Sequence, residues 1–119
     1  MSLNISDCQK IVIPEGAIYL GPSDKIYSAG FLFLEPGKEL PVHSRPVVEE
    51  LCQTEGTSTI ILYDKNILVD KIILEVGEKV KIPANFFHQH INSEKTTSLT
   101  FWEFNGDIAK IIDDIRNNK

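Results

Sequence analysis

Cysteine is scarce in this chain. Cys8 and Cys52 are the only two. They are too far apart in sequence for a CxxC-type site, and one pair argues for ordinary reduced thiols rather than a disulfide framework. Positive charge is also in short supply. Twelve Lys and Arg face seventeen Asp and Glu, a net charge of −5, and no basic cluster stands out. That excludes nucleic acid as an expected partner, because phosphate contacts need a Lys/Arg surplus or patch. The apolar runs are short and broken by charge, so no transmembrane helix is expected. The opening stretch MSLNISDCQK lacks the apolar core of a secretory signal. The chain therefore reads as a cytoplasmic protein with no membrane partner. Low-complexity segments, fixed-period repeats and long charged runs are missing as well.

What remains is an ordinary globular composition, with 42% hydrophobic and 24% charged residues over 119 positions. That length suits a single domain, residues 1–119, with a core of its own. The texture is short β-branched stretches divided by turn residues: KIVI, AIYL, IYSAGFLFL, VVEELCQ, STIILY, ILVDKIIL, KVKI, FFHQHIN and SLTFWEF. Eight or nine short strands at roughly even spacing predict an all-β antiparallel sandwich or barrel. Phe86, Phe87, Phe101, Trp102 and Phe104 are expected mostly in its core, with alternate ones lining a pocket.

The tail departs from this period. Ile108, Ile111, Ile112 and Ile115 fall at i, i+3, i+4 and i+7, one face of a short α-helix over about 107–117. Asp107 or Asn105 can cap its start. Its apolar face is expected to pack on the outside of the barrel or on a partner subunit.

Two blocks of glycines and polar residues carry the chemistry. In the first, residues 37–56, Gly37 is followed after five residues by His43, Ser44 and Arg45; Glu49 comes three residues later and Gly56 six after that. In the second, residues 77–92, Gly77 is followed after five residues by Pro83, Ala84 and Asn85; His88 comes two residues later and Asn92 three after that. Gly37 and Gly77 sit where the chain must change direction and φ > 0 is useful. Thr54-Glu55-Gly56 is expected to close a hairpin. Asn92 is expected to hydrogen-bond nearby backbone. In an extended strand His88 and His90 share a face, as do His43, Arg45 and Glu49 as far as Pro46 allows.

The two blocks, in this order and about twenty residues apart, resemble the paired signature motifs of the cupin superfamily. Every spacing is met and two identities differ. Arg45 stands where the family usually has its second histidine, and Asn85 where it usually has glycine. Asn tolerates the left-handed conformation, so the second change should keep the turn. The resemblance implies a single antiparallel cupin β-barrel or jelly roll with a short C-terminal helix, pairing N-terminal strands into a homodimer. It also implies a divalent metal ion (Fe, Mn, Ni or Zn) held by His43, Glu49 and His88. Two imidazoles and a carboxylate suit such ions and leave open positions for a substrate. Glu49 is preferred to Glu50, which alternation should turn outward.

Arg45 changes the usual set, because a guanidinium has no lone pair for a metal. Three arrangements follow. A three-ligand site survives with Arg45 holding an anionic ligand group; or His90 supplies the missing nitrogen; or the site is metal-free with Arg45 paired to Glu49. Arg45, His90 and Tyr63 are the candidate ligand-binding residues. The expected function is a metal-binding cupin with a small anionic ligand and no assigned reaction; as an enzyme it would be a metal-dependent dioxygenase or isomerase. The rivals are a metal-free sensing module, and a metal-independent isomerase or epimerase using His43 or His88 as base.

Overall fold

The computed structural model describes residues 3–117. After a 3-10 turn at Ile5–Asp7 come β1 (Gln9–Ile13), β2 (Gly16–Ser23), β3 (Ser28–Leu34), β4 (Glu49–Glu55), β5 (Ser58–Asp64), β6 (Ile67–Leu74), β7 (Lys79–Ile82), β8 (Phe87–Ile91) and β9 (Ser98–Phe104). The helix α1 (Ala109–Arg116) closes the chain. Each of the nine stretches marked out by turn residues became one strand. They form two antiparallel sheets of a jelly roll, a six-stranded one in the order β1-β2-β3-β9-β4-β7 and a three-stranded one in the order β6-β5-β8.

The turn residues do most of their work where the chain passes between sheets. The links β4–β5, β6–β7, β7–β8 and β8–β9 all cross from one sheet to the other. Gly56, Gly77 and Asn85 lie on three of these crossings with φ of 69°, 89° and 67°, so asparagine does take the left-handed turn. Gly56 does not close a hairpin, contrary to expectation: β4 and β5 belong to different sheets. A Cβ at Gly56 would run into the Thr97 carbonyl, so close backbone approach at a corner requires glycine there. Two-residue hairpins form elsewhere, at Pro14-Glu15 between β1 and β2 and at Lys65-Asn66 between β5 and β6, the latter with φ of 50° and 71°, the left-handed pair of a type I′ turn. Asn92 secures the fourth crossing. Its Nδ2 donates to the carbonyls of Leu34, Glu35 and Thr96 at 3.1, 3.2 and 2.9 Å.

The inward faces make one core. Leu34, Leu51, Ile60, Leu74 and Ile82 are each 2% exposed or less, and burying such a side chain contributes about 1.5–3 kcal/mol. The apolar face of α1 joins this core: Ile108 and Ile112 are buried in it, and Ile111 and Ile115 pack against it. The helix therefore packs most of its apolar face on its own domain. Ile108, and not Asp107 or Asn105, holds the N-cap position, without a side-chain cap bond; the Asp107 carboxylate just before it accepts from the Ala109 N–H at 3.0 Å, and Arg116 Nε donates to Gln9 Oε1 at 2.8 Å near the helix end. Of the aromatics, Trp102 and Phe104 are core, whereas Phe87 is 46% exposed, because the pleat that turns His88 inward turns Phe87 out. Among the described residues, no helix is long and apolar enough to cross a membrane.

Candidate metal centre

β8 positions two of the polar residues. His88 lies opposite Leu62 and His90 opposite Ile60. Leu62 and Ile60 belong to the core, so both imidazoles face inward, and their residues are 0% and 3% exposed. Glu49 opens β4, opposite Phe104 on one side and Ile82 on the other. It is buried, while Glu50 faces out, with a carboxylate oxygen 4.0 Å from Lys81 Nζ. His43 stands on an irregular segment pinned to β8 by reciprocal backbone hydrogen bonds with His88, of 2.9 and 2.8 Å.

The four side chains converge. One ligand atom from each of His43, Glu49, His88 and His90 lies within 4.8 Å of the other three. The His43 ring is centred 4.3 Å from that of His88 and 5.6 Å from that of His90. Donors bound about 2.1 Å from one ion stand roughly 3.0–4.2 Å apart, so small side-chain rotations would close the set. His43 Nδ1 donates to the Pro41 carbonyl at 2.9 Å; a carbonyl only accepts, so the Nε2 lone pair is left free for an ion.

Three buried atoms in this group have no hydrogen-bond partner: Glu49 Oε1, His88 Nε2 and one ring nitrogen of His90, Nδ1. Glu49 Oε1 and His88 Nε2 are 3.1 Å apart. A buried imidazole nitrogen and a carboxylate oxygen this close need a proton or a cation between them. Burial holds the His43 and His90 imidazoles neutral, with pKa values lowered to about 3; neighbouring His88 and the Arg45 guanidinium add to the effect. Neutral imidazole is the metal-binding form.

The cluster forms the polar end of a small cavity. His43, Arg45, Glu49 and His90 line it, and every other lining residue is apolar, including Leu40, Trp102, Phe104 and the isoleucines of α1. The space open to the centre of a water molecule is about 60 Å³, enough for roughly four waters. Arg45 does not pair with Glu49. Among the described residues, no carboxylate oxygen lies within 4.0 Å of its guanidinium. Burial lowers the Arg45 pKa, and Glu49 partly offsets this through space. Tyr63 is not in the site. It lies opposite Phe87 and Leu68, on the outer face of β5, and does not line the cavity. Ile108 and the three isoleucines of α1 were missed as cavity residues. Their periodicity marks an apolar face without saying what it covers.

No family sequence model and no curated protein sequence matches this chain. Solved structures do. An RmlC-like cupin from Shewanella frigidimarina NCIMB 400 superposes with a TM-score of 0.73 at 14% identity, over 93% of this chain and 94% of its own. The chain has a cupin fold. An S161A mutant of Bacillus subtilis oxalate decarboxylase shares that cupin fold with it, at a TM-score of 0.77 and 16% identity over 87% of this chain. An oxalate oxidase in complex with the substrate analogue glycolate matches at 0.63 and 24% over 67% of it. The chain spans 29% of the decarboxylase chain and 42% of the oxidase chain.

Proposed function

We propose that this cupin binds a divalent metal ion through His43, Glu49 and His88, with His90 as a fourth donor, and holds a small anion in the adjoining cavity. One observation carries the reading: four buried or half-buried donors converge within 4.8 Å, three of them having an atom without a hydrogen-bond partner. Leaving such atoms bare costs about 1–3 kcal/mol each, and an ion would relieve all of them together. Relative to the expected set, His90 takes the place of the histidine that Arg45 replaces. Three nitrogens and one carboxylate suit Fe, Mn, Ni or Zn. A bound ion would supply Lewis acidity or, for a redox metal, electron transfer to a molecule in an open position. The chain's own residues would orient that molecule, keep the imidazoles neutral and exclude water. Similarity to an oxalate oxidase with glycolate bound supports a small anionic ligand and leaves the reaction unassigned. A cytoplasmic homodimer completes the proposal; light scattering of the purified chain tests the dimer.

Elemental mass spectrometry tests the metal. Untagged protein, purified without chelator or metal column, should carry close to one divalent ion per chain, and His88→Ala should lose it. Protein that takes up none of Fe, Mn, Ni or Zn after reloading refutes the reading. Glu49 and His88 would then be an acid–base pair in a metal-free pocket.

A further inference from the structure

Resting on that reading, the residues around the cluster also select what enters the cavity. We infer that Arg45 and the isoleucines of α1 make this a site for short carboxylates, with Arg45 fixing the charged end and α1 limiting the length.

Arg45 is half-buried and lines the cavity beside His43, Glu49 and His90. A guanidinium carries five donors in a planar fork. Among the described residues, the one hydrogen bond of this side chain is a long contact from an Nη to the Ser44 carbonyl at 3.5 Å, at the limit of a useful geometry. The main chain of the same residue is held firmly, its carbonyl accepting from the Asn85 N–H at 2.7 Å. A fixed backbone thus presents a cation with no carboxylate within 4.0 Å, among the described residues, to a half-open cavity. A cation beside a metal site repels the ion it adjoins, and an anion between the two offsets that repulsion. The planar fork matches a carboxylate with two parallel hydrogen bonds.

Size and polarity narrow the class. The space of about 60 Å³ holds on the order of four to six heavy atoms. Apart from the cluster and Arg45, the one lining side chain with a polar atom is Trp102, whose indole N–H donates but cannot accept, so a sugar would bury most of its hydroxyls without partners, at about 1–3 kcal/mol each. Ile111 and Ile115 are partly exposed lining residues on α1, so they narrow the mouth of the cavity, where the tail of a longer acid would have to pass.

The experiment is calorimetric titration of metal-free and Mn-loaded protein with acetate, glycolate, oxalate, hexanoate, acetamide and inorganic phosphate. At least one of the three short acids should bind at least tenfold more tightly than acetamide, phosphate or hexanoate. Arg45→Gln should weaken that acid at least tenfold while the metal content, read in parallel, stays at the wild-type level. Ile111→Ala should admit hexanoate. Binding of acetamide or phosphate as tight as that of the best short acid overturns the inference in wild-type protein alone, whatever the variants do. So does Arg45→Gln protein that binds the acid undiminished. Hexanoate bound as well as the short acid by wild type removes the role given to α1. Failure of metal loading is read separately: the metal-free titration then decides the carboxylate claim, and only the metal reading falls.

Discussion

The two blocks that build the polar cluster are held by unlike means. His88 and His90 stand on a regular strand, and the pleat of β8 fixes their spacing and common face. His43 and Arg45 stand on a stretch with no regular secondary structure that hangs on β8. The Leu40 N–H bonds the His90 carbonyl at 3.0 Å, His43 and His88 exchange two bonds, and Gln89 Nε2 donates to the Leu40 carbonyl at 2.9 Å. Local geometry therefore sets the distance within a block, and a few backbone hydrogen bonds set the distance between blocks. One half is a frame and the other is registered against it.

The largest expected effect follows from that asymmetry. His88→Ala should remove nearly all bound metal, because it deletes the donor nearest to Glu49. His90→Ala, from the same strand, should weaken metal affinity less, because His43, Glu49 and His88 still supply three donors. Competitive chelator titration measures both, and equal losses would mean that His90 is as central as His88.

Acid should act on both blocks. Unfolded histidine takes a proton near pH 6.5, whereas folded His43 and His90 do so only near 3. Between those values the unfolded state binds more protons, so stability falls as the pH drops below 6.5 and is fully present above it. The slope reaches up to about 1.4 kcal/mol per pH unit for each histidine. Urea midpoints of metal-free protein from pH 7 to 4 would show it, and a flat profile would contradict the neutral, buried state of the rings.

Asn92→Ala tests the frame without touching a donor. Carbonyls that Nδ2 now serves would lose their partner, a cost of about 2–3 kcal/mol, or roughly 10 °C in melting temperature. Metal affinity at low temperature should stay at the wild-type level; a large loss would show that the crossing positions the cluster as well as securing the fold. Smallest of all are the turns. Gly77→Ala meets open space but keeps a φ of 89° and should cost about 1 kcal/mol. Asn85→Gly should change stability by a few tenths of a kcal/mol.

Much of this was legible in the sequence. Turn residues bounded every strand, and the 3.6-residue period found α1. The resemblance of the two blocks to the cupin motifs singled out His43, Glu49 and His88, and the turn chemistry of asparagine the left-handed Asn85. What escaped was non-local. A turn such as Thr54-Glu55-Gly56 reads the same whether the next strand pairs with the last or joins the opposite sheet, and only the Thr97 carbonyl packed against Gly56 decides. The side on which Tyr63 lies depends on its register with β8, where Phe87 is its partner. Likewise, no local pattern tells that Arg45 stays clear of Glu49 or that the isoleucines of α1 roof the cavity.

The paired peptide bonds between His43 and His88 have one further consequence. Zinc fingers assemble their donors only as the ion folds them; here two donors are brought together by bonds within the chain itself. An ion arriving at this place is a tenant and not a keystone. Chelation should leave the jelly roll standing, one ion should exchange for another without refolding, and occupancy should follow whichever metal the surroundings supply.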